Sequence, residues 1–136
     1  MTANEQAVRT YLLARETGDR HLAESLLTLD FGHEMNGRPQ SRAELLEEIE
    51  AMGGAFSSAH YEILALVEQG DRVACHYRFS ALHTGALPIG RERVAVPSGD
   101  EVHFDGSFVA ELREGRLAQG WGAYDSLGLM RQLGVL

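Results

Sequence analysis

A histidine beside a glutamate, as at His33-Glu34 in DFGHEMNG, puts two groups that can hold a metal next to each other. The stretch begins like the zinc-protease motif HExxH, but position 37 is glycine, so the second histidine ligand is missing. The other five histidines, at 21, 60, 76, 83 and 103, are scattered in the manner of ordinary surface or half-buried residues, and no metal site is expected. Cys75, the single cysteine, lies in the strand-like VACHYRF, where a buried and inert thiol fits better than a nucleophile. The nucleotide-binding patterns GxGxxG and GxxxxGK[ST] and the hydrolase pattern GxSxG are absent. The ending holds the most unusual stretch, GWGAYDSLGLMRQLG. Gly120 and Gly122 flank Trp121 on a strand and share a face with Tyr124. Glycine packs nothing in a strand. Either the two positions leave room over the sheet, or the strand bulges there or meets another backbone closely.

The elements that position these residues follow from periodicity. Val8, Tyr11 and Leu12 fall on one face of a helix over 3–17, stopped by Gly18-Asp19. HLAESLLTL reads as a second short helix. Ser41 and Glu44 have capping-box spacing, and Leu45, Ile49 and Met52 continue a third helix up to Gly53-Gly54, with Glu47, Glu48 and Glu50 on its outer face. The period then becomes strand-like. HYEILALVE and RVACHYRFSALH form an antiparallel pair around QGD, and RERVAV is an edge strand or part of a long loop. EVHFDGSFVAEL and RLAQGWGAY are the last two strands, and Asp125 suits the N-cap of a closing helix. Helices followed by a run of antiparallel strands define an α+β domain, expected to span residues 1–136.

Composition removes several classes of function. Hydrophobic content of 44% and charged content of 24% are those of a globular protein. A net charge of −8 argues against nucleic acid as a partner. All 12 basic residues are arginine, a bias that fits codon usage better than ion pairing. No apolar run approaches the roughly 20 residues that span a bilayer, so no membrane partner is expected. The start, MTANEQAVRTY, lacks a basic-then-apolar leader, and one cysteine fits a reducing compartment; the expected location is cytoplasmic.

GDRVACHYRF with LHTG, then PSGDEVHFDG, then WGAYDSLGLMRQLG together resemble the SnoaL-like polyketide cyclases of the NTF2-like superfamily. The resemblance covers essentially the whole chain and is most specific at its end. It implies a curved antiparallel sheet wrapped by three helices into a cone with an apolar pocket, a small polyketide-like ligand, no cofactor and a homodimer. VRTYLLARETGD resembles the first helix of ketosteroid isomerase, a relative of these cyclases, and Tyr11 matches a tyrosine that donates to a developing oxyanion. Tyr11 also lies on the apolar helix face and can serve packing alone. The isomerase's general base falls on Met35, which cannot move a proton; His33 or Glu34 can substitute, or the two form a hydrated surface pair. The acidic or histidine positions of the family match Phe108 and Gly122, so the family's usual acid–base set reads here as Met35, Phe108 and Gly122.

The catalytic candidates are therefore Tyr11, His33 and Glu34. The ligand-binding candidates are Met35, His76, Phe108, Gly120, Trp121, Gly122 and Tyr124. His76, Tyr77 and His83 share a strand of which one face lines the pocket, and the sequence does not say which. The first function expected is ring closure or isomerisation of a bulky polyketide-like substrate in a pocket widened by the glycines. The alternative is a non-catalytic binding or accessory protein that has lost the acids. Epoxide hydrolysis or dehydration ranks below both, for want of an Asp-Arg-Asp type of constellation.

Overall fold

Capping residues fix the helices. In the computed structural model, which describes residues 1–136, helix α1 (Ala3–Thr17) starts on Thr2, whose hydroxyl accepts from the Glu5 N–H. It ends on Gly18 in the left-handed conformation at φ 68. Asp19 caps α2 (Arg20–Leu26), and Ser41 with Glu44 closes the reciprocal capping box of α3 (Arg42–Ala55). Two helix ends differ from the sequence reading. Helix α2 ends at Leu26, because Leu27 and Phe31 enter the core from strand β1 (Leu27–Met35). Helix α3 continues through Gly53-Gly54, because Gly53 is an approach point and not a stop. A Cβ built on Gly18 would lie 2.6 Å from the Gly53 Cα, so the ends of α1 and α3 cross backbone on backbone. Gly53→Ala is expected to cost about 1–3 kcal/mol by overpacking, read as a lower urea midpoint at unchanged slope.

The remaining elements are β2 (Arg38–Gln40), β3 (Phe56–Gln69), β4 (Arg72–His83), β5 (Leu87–Ile89), β6 (Arg93–Ala95), β7 (Glu101–Arg113), β8 (Arg116–Tyr124) and α4 (Ser126–Gln132). Six strands form one sheet in the order β2-β1-β8-β7-β4-β3. It is antiparallel except between β1 and β8, which run parallel. Strands β1 and β2 make a hairpin through Asn36-Gly37, with φ of 51 and 78 as a primed turn requires. RERVAV supplies β6, which pairs with β5 in a separate two-stranded sheet and not with the edge of the main one. Asp125 caps α4, accepting from the Gly128 N–H at 2.9 Å.

The sheet is an NTF2-like cone with the helices on its concave side. Strand β4 shows the division: Val73, Cys75, Tyr77, Phe79, Ala81 and His83 are buried, while Arg72, His76, Arg78 and Leu82 are exposed. Helix residues Val8, Tyr11, Leu45 and Ile49 pack on Leu27, Ala110 and Leu117 in one apolar cluster. Aromatic residues Phe56, Tyr61, Phe79 and Phe104 dominate a second, and Phe108 touches both. Burial pushes the Cys75 thiol up to about 11, so it stays protonated and unreactive at neutral pH.

Candidate active site

Alternation along β1 decides what enters the cone. Phe31, His33 and Met35 share the inward face, and Glu34 between them is exposed on the outer one. These three side chains form one wall of a cavity. Tyr11 and Arg15 from α1, Tyr61 from β3, Tyr77 from β4, Ser107 and Phe108 from β7 and Gly120 and Gly122 from β8 form most of the rest. About 30 Å³ is open to water-sized molecules, room for a water or two. The thioether of Met35 is the adaptable part of this wall.

Gly120 and Gly122 lie on the cavity wall in unbroken register with Ala110 and Phe108. The irregularity in that strand pair falls between Glu111 and Leu112, away from both glycines. A Cβ on Gly120 would lie 3.0 Å from the His33 Cδ2 and 3.2 Å from the Phe31 Cζ. A Cβ on Gly122 would lie 3.3 Å from the Met35 Cε. The space left by the glycines is thus taken up by side chains of the neighbouring β1, and the pocket floor is not widened by it. Gly120 lets the imidazole of His33 lie flat against the sheet, stacked beside Phe31 with ring centroids 5.7 Å apart.

A buried polar chain backs the cavity. Arg15, with 11% of its side chain exposed, donates from Nη1 to the Tyr11 hydroxyl at 3.0 Å and from Nε to the Tyr61 hydroxyl at 3.2 Å. Its Nη2 pairs with Glu48 Oε1 at 3.3 Å. Burial works against the guanidinium charge, but the Tyr61, Tyr11 and Glu48 oxygens outweigh it and hold the proton well above the ordinary arginine value. Because both hydroxyls accept from Arg15, each keeps its own hydrogen free to donate into the cavity. Tyr11 is buried, and burial raises its pKa, so it remains a neutral donor.

The chain continues through Glu48: Gln40 Nε2 donates to Glu48 Oε2 at 2.6 Å, and His33 Nδ1 lies 2.7 Å from Gln40 Oε1. Burial lowers the His33 pKa, with the Gln40 bond opposing it, so the imidazole is neutral at pH 7. A neutral imidazole lining one cavity with two hydroxyl donors polarised by Arg15 can take a proton from carbon while the donors receive the charge that develops on oxygen.

Of the sequence-derived candidates, the fold brings Tyr11, His33, Met35, Phe108, Gly120 and Gly122 together around this cavity. It places Glu34 and His76 on the convex face, where Trp121 also lies with the Arg72 guanidinium 5.4 Å from its ring centre. Tyr124 packs on Phe104, ring centres 4.9 Å apart, beyond the lining. His83 is fully buried against Phe56, away from the cavity, and neither ring nitrogen has a partner. Sequence reasoning missed Arg15, Tyr61, Gln40 and Glu48. Arg15 carried a signal: it follows Tyr11 by four residues, on the same apolar helix face. Glu48, counted with the solvent-facing acids of α3, instead points inward and is 26% exposed.

The helices and the curved sheet define the class, an NTF2-like cone. Residues 5–133 match the family model of the SnoaL-like polyketide cyclases, and the chain belongs to that family. No curated protein sequence matches the chain. Among solved structures, it is similar to AclR from Streptomyces galilaeus, provisionally a hydroxylase, with TM-score 0.84 at 20% identity, covering 98% of this chain and 96% of that one. TsrD from Streptomyces laurentii gives 0.78 at 24% identity over 98% and 96%. IdmH from Streptomyces antibioticus, provisionally a polyketide cyclase, gives 0.77 at 20% identity over 97% and 99%. At these identities the likeness shows the fold alone. No helix is long and apolar enough to cross a membrane.

Proposed function

We propose that this protein is a polyketide-type cyclase or isomerase that works by acid–base catalysis without a carboxylate base. The observation that carries the reading is the placement of His33 and the Arg15-bonded hydroxyls of Tyr11 and Tyr61 around one cavity. His33 removes a proton from the carbon next to a carbonyl, and the bonding pair moves onto the carbonyl oxygen, held by Tyr11 and Tyr61. The enolate carbon then attacks a second carbonyl of the folded substrate, and the imidazolium returns its proton to the new alkoxide. Met35, Phe108 and Tyr77 supply the apolar contact for the ring system, and the cavity must expand around a substrate of that size.

The test is deuterium uptake next to the carbonyl of a fused-ring monoketone such as a tetralone, followed by NMR in deuterated buffer. Uptake above the buffer rate that is lost in His33→Ala supports the reading. A second reading, a binding or accessory protein, is favoured by one observation: no acidic side chain lines the cavity. Ligand-induced thermal stabilisation with no uptake would select it.

The homodimer implied by the family resemblance would use the convex face of the sheet. Val67, Ala74, Val109 and Trp121 line up there as successive cross-strand neighbours, and Val67 is 64% exposed. Arg72, Arg78, Asp105 and Glu111 surround this apolar row with both signs of charge. Val67→Arg is expected to convert a dimer to a folded monomer in light scattering, while melting of the monomer stays unchanged. Monomeric wild-type protein at the same concentration would overturn the assignment.

A further inference from the structure

Behind the cavity lining, Glu48 bonds both Arg15 and Gln40, and the chain through it assigns a tautomer. A carboxylate accepts and cannot donate, so the side of Gln40 facing Glu48 Oε2 at 2.6 Å must be its NH₂ group. That turns the Gln40 carbonyl towards His33, 2.7 Å from Nδ1. A carbonyl also only accepts, so Nδ1 must carry the hydrogen. Nε2 is left with the lone pair, bonded to the Cδ2 that lies against Gly120, in a ring that lines the cavity.

From this geometry we infer that Gln40 and Glu48 are positioning residues: Glu48 orients the Gln40 amide, and the amide holds His33 in the Nδ1–H tautomer that turns a basic Nε2 to the substrate. The inference rests on reading His33 as the base. The same carboxylate braces the other half of the site, since its second oxygen holds Arg15, which aims at Tyr11 and Tyr61. When a proton moves from substrate to His33, the new positive charge lies on the Gln40–Glu48 side, and the new negative charge lies on the Arg15 side. Each charge forms next to a partner already in place, and little reorganisation is needed.

The test needs no substrate, so it can fail while the proposed reaction stands, and the reverse. Nitrogen-15 NMR of the imidazole rings, recorded on the full chain above the His33 titration, distinguishes Nδ1–H from Nε2–H directly. Wild-type His33 is expected to be almost wholly Nδ1–H. Gln40→Met, which keeps the side-chain length at a half-exposed position, is expected to shift most of the population to Nε2–H, with the melting temperature little changed. Glu48→Gln restores a choice of amide orientation and is expected to give a mixture of tautomers. Catalytically, both variants are expected to lower kcat more than they raise KM. Wild-type His33 in the Nε2–H form, or a tautomer unmoved by either substitution in a folded variant, would overturn the inference.

Discussion

Replacing His33 with alanine is expected to lower the exchange or cyclisation rate by about 10²–10⁴-fold, the range a single positioned base supplies. No other group around the cavity can take over its role. The remaining polar side chains are Arg15, three tyrosines and Ser107, none of which is a base at neutral pH. Removing the ring also opens space beside Gly120 and Phe31, so a water can enter, but water is a far weaker base. The pH dependence follows from the neutral form being the active one. Burial first, against the Gln40 bond, lowers the His33 pKa below its ordinary 6.5. Activity is therefore retained at and above 6.5 and lost as pH falls through the lowered value. A surface histidine acting by accident would titrate at its ordinary value, so the position of the acid limb separates the two cases.

Arg15→Met is expected to have the larger effect on stability, about 3 kcal/mol, at the lower end of what breaking a buried ion pair costs. The reason is what it leaves behind. Glu48 would lose its charge partner while keeping only 26% exposure, and the Tyr11 and Tyr61 hydroxyls would each lose a donor. Partial access of Glu48 to water is what keeps the cost from rising further. Catalysis falls as well, because the two hydroxyls no longer carry the polarising charge behind them. Tyr11→Phe isolates that part: about 10²–10³-fold in rate, the loss seen on removing one oxyanion donor, with a smaller change in stability. Arg15→Lys does not restore either property, since an ammonium cannot reach Tyr11, Tyr61 and Glu48 in one planar fork. Urea denaturation checks the first effect and steady-state rates the second.

The fold was legible where the sequence carries its own local signals. Ser41 and Glu44, Gly18 and Asp125 cap helices for reasons visible in a few consecutive residues. Asn36-Gly37 carried an equally local signal for the β1–β2 hairpin, and the reading passed over it. Gly53 illustrates the limit. A glycine pair at the end of an amphipathic helix reads as a stop, but its role is set by Gly18, far away in sequence and in contact only after folding.

The candidate site divides in the same way. Tyr11 was legible through the helix resemblance, and His33 as one of three adjacent residues whose order of exposure is fixed by strand parity once β1 is placed. Gln40 and Glu48 were not, because their roles depend on a hairpin register and on a helix crossing it. The two glycines beside Trp121 were read either as spare volume or as a bulge or close backbone approach. They are places where another strand's side chains lie, which parity along one strand cannot reveal.

In the proposed reaction, His33 is the group that takes the proton. The direct measurement is to follow deuterium uptake by the monoketone probe across the acid range, and to titrate the His33 ring by NMR in the same buffer. One ionisation is expected in both experiments, at a pH below 6.5, with uptake full above it and absent below. Uptake that stays level while His33 titrates, or that persists in His33→Ala, would contradict it.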